Sequence, residues 1–416
     1  MSSSLPVPAQ NLSADLIELF LDFVGDDRET LLKFSKVLRS WRDVALPRMF
    51  QCITLRSESG STILRFPKGF TMEYLVKCVE ITGRNSSGSS LDPAFHHLLK
   101  CLTRLETVKF TRCDFSYLRF TQTAESRSYS EELTLALCRP SVQVIILEQT
   151  RYMPLPLLAA CPNFKRLEAM NGNKFVDYVP QYVPKQVSSD MQMESIHVGG
   201  VYNIDCLGRW LEATRKECQF SKLGSIHISD AGYADEAVPL RVGRLLEVTG
   251  ATLEELSLNL RLGRLSVPSR CPRPLKVLKR LTVNLTLSMK SSEHGTPPGP
   301  VDLGMGDFLQ DLLMPHHLEH FKLVLRLFVK SDEPVKSFVR ALKLLFKSLD
   351  FVLGCSAFRS LDRIDVQLHV FGSFAVESLP QSSFISFPFP ALATRRLAPI
   401  FETSDYRSDI DTSNLL

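Results

Sequence analysis

One recurring pattern constrains what this chain can fold into. With Φ for an apolar residue, the hexad Φ-x-x-Φ-x-Φ occurs eleven times, beginning at Phe50, Val76, Leu105, Val142, Phe164, Met193, Leu223, Leu253, Leu278, Leu318 and Leu361. The fullest copies are L-E-E-L-S-L at 253, L-K-R-L-T-V at 278, L-E-H-F-K-L at 318 and L-D-R-I-D-V at 361. The closing Φ-x-Φ has the two-residue period of a strand with one buried face: the apolar residues turn inward and the residue between them turns out. A single hexad arises easily by chance. Eleven of them, at spacings from 22 to 43 residues, predict one short strand per repeat.

The segments between the hexads fill in the architecture. Phe95–Leu102, Val238–Val248 and Val335–Val352 have helical apolar spacing and would pack behind such strands. Segments at 86–90 (Gly/Ser), 121–131 (polar) and 289–306 (carrying Pro297, Pro298 and Pro300) read as surface loops. Later strands lengthen: Leu281–Leu287, Phe321–Val329 and Ile364–Val370 alternate over seven to nine residues. The hexads with their intervening helices resemble a leucine-rich-repeat horseshoe. The Asn or Cys that closes each turn in regular horseshoes is missing from nearly every copy, with Cys113 the one residue in register, so irregular turns are expected.

The first fifty residues differ in kind. Ser13 suits a helix N-cap, and Leu16, Ile17, Phe20, Leu21, Phe23 and Val24 form a broad apolar face after it. Gly25 ends that helix. Asp26 begins a second with Glu29 three residues on, a capping-box-like pair, and Leu31, Leu32, Phe34, Val37 and Leu38 line it. A third runs from Ser40 through Trp41, Val44 and Leu46 until Pro47 breaks it. So small a bundle has more apolar surface than it can bury alone. The run L-I-x-x-F-L-x-F-V, the hinge D-D-R-x-T-L-L and V-x-R-S-W resemble an F-box of the kind found in large fungal families. Two departures stand out: Leu12-Ser13 replaces the usual Leu-Pro opening, and Leu38 follows Val37 where a small residue or Cys is expected.

The resemblances together imply an α/β fold: a three-helix F-box at 10–50 and an irregular leucine-rich-repeat-like solenoid at 51–395, strand plus helix per repeat. Flexible tails at 1–9 and 396–416 would flank them. They imply docking on a Skp-type adaptor, through it a cullin–RING ubiquitin ligase, and a protein substrate on the repeats. The chain itself would be non-catalytic, working by effective concentration and orientation. The alternative is a leucine-rich-repeat scaffold that recruits no cullin. Leu12, Leu16, Ile17, Leu21, Leu32, Val37 and Trp41 are the expected F-box core or adaptor contacts.

Other classes find little support. At 416 residues and 44% hydrophobic content the chain can build an extended core. A net charge of +4 from interspersed residues makes no basic stripe for nucleic acid. The longest apolar stretches, such as Leu157–Cys161, are far short of a membrane span, and the start has neither the basic nor the apolar region of a signal peptide, so a cytoplasmic or nuclear protein is expected. Ten scattered cysteines without C-x-x-C read as reduced, mostly buried thiols.

No catalytic, cofactor-binding or metal constellation emerges. His316, His317 and His320 lack a Cys partner and an H-E-x-x-H frame, and read as solvated loop residues. His227, Ser229 and Asp230 supply triad residue types without a G-x-S-x-G elbow. Gly199-Gly200 and Gly304/Gly306 lack a phosphate-binding frame. What remains is a surface. The middle residues of the strands (Thr54, Glu80, Lys109, Ile146, Glu168, His197, His227, Ser257, Thr282, Lys322 and Asp365) are expected to line one open sheet face. Glu168, His197, His227 and Lys322 are the candidate ligand contacts, with the imidazoles expected to make binding pH-sensitive near their usual pKa of ~6.5.

Overall fold

Three helices lead the chain: α1 (Ala14–Val24), α2 (Arg28–Ser35) and α3 (Arg39–Gln51). The computed structural model describes residues 13–24, 27–37, 39–56, 75–83, 99, 101–116, 131, 133–159, 161–169, 172–177, 192–214, 222–229, 238–262, 275–289, 317–329, 335–372 and 389–407. Leu12, Asp26, Leu38 and the loops expected at 86–90, 121–130 and 290–306 lie outside these residues. The Ser13 hydroxyl accepts from Leu16 N at 3.4 Å, as an N-terminal cap does. The cap of α2 is Asp27, one residue later than expected: its carboxylate accepts from Glu29 N at 3.2 Å and from the Thr30 hydroxyl, which holds its pKa down.

Pro47 does not end α3, contrary to expectation. The helix runs four residues past it. Proline removes one N–H, but the turn beyond is anchored from outside: Arg48 ion-pairs with Asp22 at 2.6 Å and donates to the Glu18 carbonyl, both on α1. Gln51 then passes directly into the first strand.

Among the described residues, twelve strands form one open, wholly parallel sheet: β1 (Cys52–Arg56), β2 (Cys78–Thr82), β3 (Thr107–Thr111), β4 (Val144–Glu148), β6 (Arg166–Ala169), β8 (Ser195–Gly199), β9 (Ser225–Ser229), β10 (Glu255–Leu262), β11 (Arg280–Met289), β12 (His320–Val329), β13 (Arg363–Gly372) and β14 (Ile400–Arg407). Their spatial order is their chain order, with β1 and β14 at the edges. Each of the first eleven begins two residues after a hexad's first apolar residue. One motif makes nine of the eleven steps. From β3 to β13, two consecutive N–H groups of the later repeat donate to a single carbonyl of the earlier one: Glu106 and Thr107 to Lys77, and so on to Asp362 and Arg363 at Glu319. The x-x of the hexad is therefore backbone-bonded, which leaves its side chains free for polar types. Lys77–Glu106, Lys165–Glu194 and Lys279–Glu254 pair there at 3.0–3.2 Å.

The apolar positions all turn to one side. Leu256 and Leu258, Leu281 and Val283, and Phe321 and Leu323 are buried in a core running from Ile53 to Leu392. Helices α5 (Val201–Thr214), α6 (Val238–Thr249) and α7 (Val335–Leu353) contribute Leu207, Leu211, Leu245, Leu246, Leu345 and Leu349 to it, and α5 packs along α6. The described connections differ in kind. After β4 the chain makes β5 (Arg151–Pro154) and the five-residue α4 (Leu155–Ala159), after β6 it makes β7 (Lys174–Val176), and β5 pairs with β7 in a second small parallel sheet. The helical bundle has its own core of Ile17, Leu21, Leu31, Trp41 and Ala45.

The missing turn-closing Asn is present, displaced in sequence. Asn173, one residue out of register, accepts from Thr150 N at 2.7 Å and donates to the Leu147 carbonyl at 2.8 Å. Asn203, two residues out, accepts from Phe175 N at 3.2 Å and donates to the Gly199 carbonyl at 2.8 Å. Cys113, in register, donates to the Ile81 carbonyl at 3.4 Å. Buried backbone groups need partners wherever the turn places them, and β5 and β7 shift that place.

The C-terminal boundary also moves. Residues 396–416 were expected to form a flexible tail, but Ile400–Arg407 pairs with β13 along its whole length. Polar E-T-S-D-Y-R gives no alternation signal. The anchor is Phe401, whose ring lies 5.8 Å from Phe346 and 5.9 Å from Phe389. Just before it, α8 (Pro390–Thr394) is held by buried Asp350, which accepts from Ala391 N and Leu392 N at 3.1 and 3.0 Å.

Candidate functional site

Two surfaces stand out, the first on the helical bundle. Of the expected docking residues, Ile17, Leu21 and Trp41 are consumed by its core, while Leu16, Leu32 and Val37 are exposed. Trp41 stacks on Phe34 with ring centroids 5.0 Å apart, and Phe20 meets both edge-on at 5.4 and 5.6 Å. The outer side of α1 stays apolar: Leu19 is 56% and Phe23 89% exposed. Leu19 is absent from the sequence-derived set because it falls outside the apolar spacing of the core face. That same offset directs it away from the core.

The second surface is the outward face of the large sheet. Cross-strand register places all eleven middle residues, from Thr54 to Asp365, in a single row. Most are half-buried; Asp365 is fully so. At the β1 end, Lys109 bridges Glu80 at 3.3 Å and Glu148 at 3.0 Å. Burial disfavours its charge, yet these carboxylates hold its pKa above the usual lysine value.

In the centre, Glu168, His197 and His227 sit on adjacent strands. Glu168 is engaged by Arg166 at 2.5 Å. The two imidazoles meet edge to face with centroids 4.1 Å apart. Burial lowers the pKa of both; the Arg166 charge adds to this at His197, and His197 itself adds to it at His227, which falls to about 4. The pH sensitivity expected near 6.5 is therefore moved to lower pH, because burial and neighbouring positive charge disfavour the cationic form of both rings. Lys322 lies three strand spacings from His227, about 14 Å away, so the four candidate ligand residues do not form one cluster.

Towards the β14 edge, His320 is a strand residue and not a solvated loop histidine. Its Nε2 lies 2.8 Å from Asp365 Oδ2, which Arg363 also reaches at 2.9 Å. Burial would raise that carboxyl, but the hydrogen bonds from Arg363 and His320 keep it below the usual range. His317 is exposed, and His316 and Asp230 lie outside the described residues. Arg326, His369 and Gln367 continue the outward rows beyond the hexads; the extended alternation of Phe321–Val329 and Ile364–Val370 is the signal that locates them.

Among the described residues no group of His, Cys, Asp and Glu is arranged to hold a metal, and no helix is long and apolar enough to cross a membrane. None of the eight described cysteines is in a disulfide, but only Cys113, Cys161 and Cys206 are buried. Cys52 and Cys78 are register partners on the outward face, where their mutual hydrogen bond and burial push the Cys78 thiol up. No family model matches the chain, and no curated protein matches it.

Proposed function

We propose that this chain is the substrate-recognition adaptor of a Skp–cullin–F-box ubiquitin ligase. Residues 10–50 act as the F-box that docks on a Skp-type adaptor. The parallel array acts as an irregular leucine-rich-repeat solenoid that presents its outward face to a protein substrate. The observation carrying this reading is the two-sided character of α1. Ile17 and Leu21 already fill the bundle's core, yet Leu16, Leu19, Phe20 and Phe23 leave a second apolar face of α1 in contact with water, and Leu32 and Val37 are exposed as well. A contiguous exposed apolar patch marks a partner site, and a few aromatic or aliphatic anchors dominate such contacts. In support of the array's role, strand order equals chain order and one two-donor step repeats along the sheet. On this reading no residue of the chain performs chemistry, and ubiquitin transfer is accelerated by holding the substrate near the conjugating enzyme.

Co-purification of the full chain with a recombinant Skp-type adaptor tests the proposal. Capture should be lost when Leu19 and Phe23 are both changed to Asp, with the thermal unfolding midpoint unchanged. If the wild-type chain, shown to be folded, captures no adaptor, the ligase reading is overturned in favour of the scaffold.

A further inference from the structure

On the outward face of the sheet, several described charges are balanced by a near neighbour. Lys109 holds Glu80 and Glu148, Arg166 holds Glu168, Arg280 holds Glu255, and Arg363 holds Asp365. Lys322 and Arg326 hold no carboxylate among the described residues. They stand four residues apart on one strand and on the same face, about 13 Å along it. Polar groups surround them in register. Thr282 and Thr286 of β11 stand beside Lys322 and Arg326, and His369 of β13 stands beside Arg326. The two acids nearest in register are engaged elsewhere: Asp365 by Arg363 and His320, and Glu402 by Gln367 at 2.6 Å.

The geometry points to an anion-recognition surface on β11–β13, in which Lys322 and Arg326 bind two acidic side chains, four residues apart, on an extended segment of the protein partner. This deepens the adaptor reading and rests on it for the identity of the partner as a substrate. An extended chain advances about 3.3 Å per residue, so acids at i and i+4 match the separation of the two cations. Arg offers a bidentate fork and Lys a point charge, and both accept either carboxylate or phosphate. Burial and the charges of Arg326 and Lys322 lower the pKa of His369, against the opposing pull of Glu402, so the positive charges prevail at this ring.

The test uses the full chain and three fluorescent peptides on one Gly/Ser background. One has Asp at i and i+4, one has phosphoserine at those positions, and one has Ser at both. Binding is followed by anisotropy at two salt concentrations. The wild-type chain is expected to bind at least one anionic peptide, more weakly at high salt, and the Ser peptide not at all. The preferred arm distinguishes carboxylate from phosphate. Lys322→Ala with Arg326→Ala should weaken binding at least tenfold with the melting midpoint unchanged, whereas Arg280→Ala, which removes a neutralised charge, should leave it unchanged. Equal binding by the double variant, an equal loss on Arg280→Ala, or no binding of either anionic peptide by the wild type overturns the inference. Adaptor capture is scored separately on the same protein. Peptide binding without capture sinks only the ligase reading, and capture without peptide binding sinks only this inference.

Discussion

His197 and His227 pack edge to face in the middle of the open sheet face, 4.1 Å apart, where burial disfavours the cationic form of both rings. The His227 pKa falls to about 4, against ~6.5 for a free imidazole. Below pH ~6.5 the unfolded chain therefore takes up a proton that the folded one refuses. Stability is complete above that value, falls as pH drops towards 4, and is lost no further once the folded ring protonates. Urea midpoints measured from pH 7 to pH 4 should decline over this window, and His227→Asn should flatten the decline. A parent and variant with the same slope would remove the pair as its cause.

The two faces of the helical bundle should separate stability from docking. Trp41→Ala empties a core site 5% exposed and is expected to cost about 3–5 kcal/mol, read as a lower melting midpoint of the bundle. Phe23→Ala, at 89% exposure, should change stability by no more than about 0.5 kcal/mol while weakening adaptor capture about tenfold. Equal destabilisation by both would mean that Phe23 is structural.

Asn173 closes the turn that carries the small sheet. Asn173→Ala would strand Thr150 N and the Leu147 carbonyl in the core, at about 1–3 kcal/mol for each unsatisfied group. Hydrogen exchange should show β5 and β7 losing protection first. Unchanged protection there would mean that water or a neighbour replaces the amide.

Leu256 is wholly buried between β9 and β11. Leu256→Ala is expected to cost about 2–5 kcal/mol and to raise exchange in the neighbouring strands before β2–β4, because coupling in a stacked array passes between neighbours. Simultaneous loss along the whole sheet would point to one cooperative unit.

Adding a Cβ at Gly354 would bring it 2.5 Å from Ala391 Cβ and 2.6 Å from the Asp350 carbonyl oxygen. Gly354→Ala should therefore displace α8 and expose the β14 edge to proteolysis. A protease map identical to that of the parent would show that the helix can shift without undocking.

The eleven hexads determined, without any structure, where the first eleven strands of the sheet begin, which side chains enter the core and which stand in the outward row. Those features follow from alternation within a few residues, and water imposes alternation locally: Leu256 and Leu258 turn inward for the same reason in any parallel array. The apolar excess of residues 12–46 was equally legible, since it is a matter of composition over a short helix. What only the tertiary structure decided depends on neighbours far away in the chain. Asn173 and Asn203 do their work one and two residues out of register because β5 and β7 move the turn. Pro47 is tolerated because Arg48 reaches Asp22. Ile400–Arg407 becomes a strand because Phe401 finds Phe346 and Phe389. The His227 pKa is lowered because the packed strands bury its ring, with His197 beside it adding to the effect, and Lys322 and Arg326 are left without carboxylates among the described residues because Asp365 is taken by Arg363 and His320. Pairing, burial and protonation are properties of the space between strands, and that space exists only once the strands have stacked.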